Sequence, residues 1–437
     1  MFCNRPKILF FLSLNILGVR GTGSPALCRV WGLLTQTRQR AVGAIPLDKM
    51  HPHALNTAMD LHSKYPGLED LRTRAQKRIP HFVFEYLDSG TGREVTTARN
   101  RTALDAIKFT PSVLHGPQTP DLARRFLGAD YTVPFGVAPV GMSGLIWPDA
   151  ERLLAAEAAR AGLPYCLSTV AAQTPEHVAP VLDDKAWFQL YPPKDEAVLK
   201  DIITRVKTAG FRTLVLTLDV PVASRRERQT RSGLTQPPKF GPRLLWQTAQ
   251  RPAWALGMLQ NGAPRMRTLD AYIKDDRNLP PTAHIGYLLR TSPDISYLKR
   301  VRALWDGPLI VKGIMDPASV QTLQTEGVDA LWVSNHAGRQ FDGALASIEV
   351  LPHIRAATSL PIVFDSGIGG GLDILRALAH GADFVMLGRA WHYALAALGA
   401  RGPQHLTEML TQDLIANLGQ IGVDNLGDLP ARLSPTA

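Results

Sequence analysis

The 437-residue chain is 45% hydrophobic and 20% charged, the balance of a globular protein with a sizeable core. A net charge of +10 admits nucleic acid, an anionic membrane surface or anionic substrates as partners. No nucleic-acid motif or zinc-ligand spacing supports the first of these, so neither nucleic acid nor a metal is expected. Three cysteines, Cys3, Cys28 and Cys166, form no disulfide framework and suit a reducing, cytoplasmic compartment.

Residues 1–58 stand apart as an N-terminal extension. Lys7 and the apolar stretch 8–19 resemble the basic and apolar regions of a signal peptide. That stretch is shorter than the roughly 20 residues needed to span a bilayer, and Leu27 before Cys28 makes a poor lipoprotein site. A start at Met50 or Met59 is the plainer reading; a signal or anchor and a structured extension are the alternatives.

Residues 59–437 read as one catalytic domain. The spacing predicts a helix over Leu68–Arg78 that stops before Pro80, then a further apolar stretch at 82–87 and a turn at 88–92. Residues 104–131 carry scattered prolines and are expected to pack beneath the main body as a lid or plug. Eight short apolar runs follow, at 133–141, 166–170, 187–191, 213–219, 308–313, 330–336, 361–367 and 384–389. Each is rich in β-branched or aromatic residues, and most are separated by helix-like stretches. Alternation of this kind predicts a parallel sheet, and eight repeats predict a closed (β/α)8 barrel of the TIM type. Barrel enzymes keep their chemistry at the C-terminal ends of the strands. Those ends read Ser168, Gln189, Thr217 with Asp219, Lys312, His336, Asp365 and Arg389.

The alternation breaks once, after the fourth run. Residues 225–300 form a long insertion, read as an active-site or membrane-facing loop. It interleaves Arg225, Arg226, Arg228, Arg231, Lys239, Arg243 and Arg251 with Leu244, Leu245, Trp246, Trp254, Leu256 and Leu259. This is the composition of an interfacial membrane segment. The alternative is that the apolar residues fold back onto the barrel or a neighbouring subunit.

The strand-end residues suggest their chemistry. Asp365-Ser366-Gly367-Ile368-Gly369-Gly370-Gly371 and Gly388-Arg389 follow the last two runs, where barrels often bind phosphate. Glycines let backbone amides approach an anion, and Arg389 adds a charged fork. His336 can titrate near neutral pH and remove a proton. Arg339 can hold a carboxylate, and Asp219 can orient His336 across the barrel mouth. Lys312 is open to three readings: a Schiff base, a fixed positive charge or a buried ion pair.

These residues together resemble the FMN-dependent α-hydroxy-acid dehydrogenase and oxidase family over residues 64–427. The segment Ser334-Asn335-His336-Ala337-Gly338-Arg339-Gln340-Phe341-Asp342-Gly343 is close to the family signature. Residues 138–141, 167–170 and 305–307 bring the chain nearest the bacterial respiratory L-lactate dehydrogenase branch. The resemblance implies that FMN is the cofactor, with Ala138 and Pro139 against the flavin and Ser168, Gln189 and Thr217 bonding its ring. Lys312 would face the pyrimidine end as a positive charge, which argues against a Schiff base. Asp365 would hold the ribityl chain, with Gly367, Gly388 and Arg389 around the phosphate.

By the same resemblance His336 would be the base, and Arg339, Arg226 and Tyr86 would clamp the substrate carboxylate. Tyr191 would bond the hydroxyl or carboxylate. The implied reaction is oxidation of an L-2-hydroxy acid, with L-lactate the expected substrate, to the 2-keto acid. Electrons would pass to a quinone, a cytochrome or oxygen. A homotetramer is implied, in the cytoplasm or peripheral on the inner face of the cell membrane.

Two departures bear on this. Gly369 stands where the family carries a phosphate-binding arginine, a loss that weakens FMN binding unless the amides of residues 369–371 compensate. Ala337 replaces a glycine beside the base. The alternatives are a peroxide-forming glycolate- or mandelate-type oxidase, another phosphate-binding flavin barrel such as an isomerase, and a degenerate flavin barrel that only binds.

Overall fold

The computed structural model describes residues 61–182, 184–234, 241–272, 289 and 291–434. The readings made of residues 1–58 lie outside these. Two short antiparallel strands come first, β1 (Arg124–Phe126) and β2 (Ala129–Tyr131). Eight parallel strands then close on themselves: β3 (Phe135–Val137), β4 (Tyr165–Ser168), β5 (Ala186–Leu190), β6 (Thr213–Thr217), β7 (Leu309–Ile314), β8 (Ala330–Val333), β9 (Ile362–Phe364) and β10 (Phe384–Leu387). Their order is sequential, and β10 pairs with β3 to complete the (β/α)8 barrel. Strand residues are buried on both faces because helices cover the outside and side chains fill the inside.

The barrel is filled rather than hollow. Cys166, Trp187, Val215, Ile310, Trp332, Val363, Phe384 and Met386 pack with Phe126 and Tyr131 of the β1–β2 hairpin in one cluster. The hairpin is therefore the plug expected of residues 104–131. Trp187 donates its indole N–H to the Tyr131 hydroxyl at 3.1 Å, which satisfies a polar group that burial would otherwise penalise.

The lead forms helices Leu68–Arg78, His81–Asp88 and Val95–Ala106. An ion network fastens it. Asp88 is bonded by Arg72, Arg228 and the Tyr393 hydroxyl, and Arg228 also reaches Glu85 and Glu94.

The described residues of the insertion are largely helical. It contains helices Glu227–Ser232, Pro242–Ala249 and Pro252–Asn261, and the crossover helix Ile295–Leu304 runs through its expected boundary at residue 300. Its apolar residues divide between buried and exposed. Leu244 and Trp254 are buried, while Leu245, Trp246, Leu256 and Leu259 are exposed. The buried pair anchors the insertion to the barrel: Trp254 donates to the Leu145 carbonyl at 3.0 Å. Lys239 lies outside the described residues.

Candidate active site

The C-terminal ends of the strands bring together side chains drawn from residues 86 to 389. Asp219 follows β6 and His336 follows β8, and His336 Nδ1 lies 2.9 Å from Asp219 Oδ1. Gly313 makes this approach possible. It sits at φ +101 beside a register shift in β7, and a Cβ there would fall 2.5 Å from the Asp219 Cβ. Burial alone would raise the Asp219 carboxyl, but the charges of His336 and Lys312 override it and hold the pKa below the ordinary value. A carboxylate at Nδ1 makes that nitrogen the proton-bearing one and leaves Nε2 with its lone pair.

Lys312, buried on β7, donates to Ser334 Oγ at 2.6 Å and lies 3.0 Å from Asp365 and 4.0 Å from Asp219. Burial works against its charge, and the two carboxylates more than offset that, so its pKa is raised. A lysine held as ammonium is a poor Schiff-base nucleophile, and here it is a buried cation between two carboxylates.

Arg339 is committed in a way its sequence position does not reveal. It donates to the carbonyl oxygens of Tyr86, Leu87 and Ser89 at the end of helix His81–Asp88, over 2.8, 3.1 and 2.6 Å. A guanidinium has five N–H donors. These contacts leave the Nε hydrogen and one Nη2 hydrogen for a further acceptor such as a carboxylate. Burial first, then the charges of Arg226 and Arg389, push the Arg339 pKa well below its usual value. Three guanidiniums repelling one another constitute a site that favours anions. Arg226 is held only by long contacts to Ser224 Oγ (3.3 Å) and Gln340 Oε1 (3.4 Å).

Tyr86 donates its hydroxyl to the Gly141 carbonyl at 2.8 Å. The Tyr191 backbone donates to Thr169 Oγ1 at 3.0 Å, and burial, with Asp219 next, raises the pKa of its phenol. Both tyrosines are therefore neutral donors at neutral pH.

A cofactor test comes from buried polar atoms without partners, which native proteins rarely leave. Among the described residues, Gln189 Nε2, Thr217 Oγ1 and Arg389 Nε are buried and unbonded. Ser168 Oγ donates to Gln189 Oε1 at 2.8 Å, which turns the amide nitrogen outward. Ring-bonding donors on β5 and β6 and an unsatisfied guanidinium after β10 fit a heterocycle that carries a phosphate. Ala138 is buried and Pro139 half-buried beside them, and the Gly388 Cα lies under Val140 and Ala138, its absent Cβ 3.3 Å from Val140 Cγ2.

The glycine loop departs from expectation. Two of its three amides are not free to replace an arginine: Gly369 N donates to Asp373 Oδ2 at 2.8 Å, and Gly371 N to Asp413 Oδ2 at 2.5 Å. Asp413 lies 42 residues downstream, so no local reading could have found it. Gly367 adopts φ +91 against Asn100 and Leu104. Asp365 accepts from Ser366 Oγ at 2.7 Å as well as pairing with Lys312. Arg389 itself donates to the Ala337 carbonyl at 2.8 Å.

Several supporting residues went unread in the sequence. Asn100 and Asn335 exchange two amide hydrogen bonds at 2.9 and 2.7 Å, which brace the His336 loop from the lead. Arg228 carries the ion network, and its only sequence signal was membership of a basic stretch.

Comparison with known proteins agrees with this geometry. The model of the FMN-dependent dehydrogenase family matches residues 75–435. An L-lactate dehydrogenase of Pseudomonas aeruginosa is 39% identical over 368 residues, covering 83% of this chain and 96% of that protein. One from Pectobacterium atrosepticum is 38% identical, covering 82% and 94%. Among solved structures, a monotopic membrane protein, (S)-mandelate dehydrogenase, matches with a TM-score of 0.80 at 32% identity, over 85% of this chain and 99% of that one. A mandelate oxidase variant matches with a TM-score of 0.70 at 30% identity, over 85% and 98%. The chain belongs to the FMN-dependent dehydrogenase family and is an FMN-dependent 2-hydroxy-acid oxidoreductase.

Proposed function

We propose that the chain oxidises L-lactate to pyruvate with His336 as the base. The observation that carries this reading is the His336–Asp219 pair beside the two guanidiniums Arg339 and Arg226. The free edge of Arg339 and the loosely held Arg226 bind the substrate carboxylate, and the Tyr191 hydroxyl and the Tyr86 hydroxyl, once turned from the Gly141 carbonyl, complete its seat. His336 Nε2 takes the proton, and Asp219 stabilises the imidazolium that results. FMN, when bound, accepts the two electrons released from the α-carbon. Gln189, Thr217 and Ser168 would bond its ring, and Ala138 and Pro139 would lie against it. Lys312 supplies positive charge where the ring becomes electron-rich, Asp365 takes the ribityl chain, and Gly367, Gly388 and Arg389 seat the phosphate.

Lactate is favoured over a bulky hydroxy acid by the branched Val170 beside Gly141. A Cβ at Gly141 would lie 2.6 Å from Val170 Cγ2 and 3.7 Å from the Tyr86 hydroxyl. The reading is tested by an anaerobic absorbance spectrum of FMN-loaded protein. Bleaching by L-lactate supports it; flavin bands unchanged by lactate but bleached by mandelate overturn the substrate.

A membrane-associated form with a quinone acceptor is supported by the insertion. Trp246 is 67% exposed and Leu256 56%, and Leu245, Leu259 and, elsewhere on the insertion, Arg225 are exposed as well. No helix of the described residues is long and apolar enough to cross a membrane; the reading is peripheral contact from the cytoplasmic side through these exposed side chains. Co-sedimentation with anionic vesicles, lost in Trp246→Ser with Leu256→Ser, tests this. Rapid reoxidation by air instead of a quinone analogue would favour the oxidase alternative. Light scattering tests the homotetramer.

A further inference from the structure

His392 lies one turn into helix Arg389–Leu398, and its buried ring is bonded at both nitrogens. Nδ1 is 2.8 Å from the Gly388 carbonyl oxygen and Nε2 is 2.7 Å from Ser143 Oγ. Ser143 Oγ is in turn 3.0 Å from the Val140 carbonyl oxygen. A carbonyl oxygen can only accept. The two ends of this chain therefore require a hydrogen on Nδ1 and the hydroxyl hydrogen of Ser143. The contact in the middle requires a third, and only a ring protonated on both nitrogens supplies it. A neutral ring leaves one of the three short contacts without a hydrogen.

The charge needs a counter-charge. Burial presses this imidazole down to about 4, and the positive end of the helix works the same way. Charged groups on the elements packed around it are bound elsewhere. Arg74 and Arg78 donate to the Ala397 carbonyl, and Asp88 is held by Arg72, Arg228 and Tyr393. Glu151 accepts from the Gly144 and Ala172 amides, and Glu157 pairs with Arg160. Glu85 pairs with Arg228, Asp413 with the Gly371 amide, and His405 with the Tyr65 carbonyl. On its own helix Arg389 faces the Ala337 carbonyl. Glu151 keeps a buried Oε2 without a partner, and an anion at Gly388 and Arg389 is the other counter-charge open to this ring.

We propose that His392 is a positioning residue that takes up a solvent proton when FMN binds, an inference resting on the phosphate seat assigned to Gly388 and Arg389. The ring is neutral without FMN and an imidazolium with it. Once charged it pins the Gly388 carbonyl and, through Ser143, the Val140 carbonyl next to Ala138 and Pro139. Phosphate binding at one end of the cofactor thus fixes the backbone against its ring. The linkage runs in one direction: phosphate raises the His392 pKa, so FMN binds more tightly as pH falls through that raised value towards the free ring's value of about 4.

The test is titration calorimetry of FMN-free protein at about pH 7.5, where free phosphate monoesters are already dianionic. Buffers of different ionisation enthalpy report the protons taken up, and riboflavin, which has no phosphate, is the control. The expected result is about one proton per FMN and none per riboflavin. His392→Gln should lose the uptake and bind FMN about tenfold more weakly, with riboflavin affinity unchanged. Ser143→Ala should reduce the uptake without touching the ring. No uptake in the wild type, or full uptake in both variants, overturns the proposal. Arg389→Gln separates it from the reading beneath it. If the preference for FMN over riboflavin collapses there while the wild type takes up no proton, the His392 inference alone falls. An unchanged preference removes the phosphate seat and both readings with it.

Discussion

Asp219 Oδ1 stands 2.9 Å from His336 Nδ1 across 117 residues of chain, and both side chains are largely buried at the barrel mouth. The carboxylate fixes which ring nitrogen carries the proton, so the pair acts as a unit. His336→Gln is expected to abolish turnover while FMN stays bound, since the ring-bonding groups are on other strands. Asp219→Asn should lower kcat by about 10²–10⁴, because an amide can stabilise the wrong tautomer. Stopped-flow flavin reduction measures both; retained reduction in His336→Gln would remove its role as base.

Arg339 and Arg226 should separate by stability. Arg339→Lys loses three carbonyl contacts as well as the free guanidinium donors, so both Tm and kcat/KM should fall. Arg226→Lys gives up only long contacts and should leave Tm unchanged while KM rises about tenfold. Thermal denaturation alongside lactate kinetics distinguishes them, and equal Tm losses would contradict the geometry.

Ala337 occupies φ +54, a left-handed conformation that costs a residue with a Cβ about 1–2 kcal/mol. Its amide donates to Ser366 Oγ and its carbonyl accepts from Arg389, which hold it there. Ala337→Gly is expected to stabilise the protein by about 1 kcal/mol and leave KM unchanged, as read from chemical denaturation. A loss of stability would show that the methyl makes a contact worth more than the strain.

Asp88 should control the acid limit of the lead. Burial would raise its pKa, but Arg72, Tyr393 and Arg228 hold it well below the ordinary carboxylate value of 3.8. A depressed carboxyl contributes stability above its unfolded pKa and loses it as pH falls through the folded one. The lead should therefore stay docked down to pH values below that ordinary value. Asp88→Asn should destabilise at neutral pH by on the order of 3 kcal/mol, since it strands Arg72 and Arg228. Near-UV circular dichroism against pH and denaturant measures both; a wild-type transition between pH 5 and 6, outside this window by about two units, would contradict the assignment.

Much of this protein was legible in the chain itself. Eight apolar runs at regular spacing specify eight buried strands, because a parallel barrel hides both strand faces and leaves only the strand ends polar. Reading those ends located Ser168, Gln189, Thr217, Lys312, His336, Asp365 and Arg389 at one mouth. Local order along the sequence carries that information, since strand direction alone decides which end of each run meets the others. Which donors are already spent was decided only by the tertiary structure. Arg339 gives three of its hydrogens to the end of a helix some 250 positions earlier, and Asp413 and Asp373 fill two amides of the glycine loop. Those partners come from elements that meet only once the barrel closes, and a hydrogen bond depends on distance and direction that no local pattern encodes.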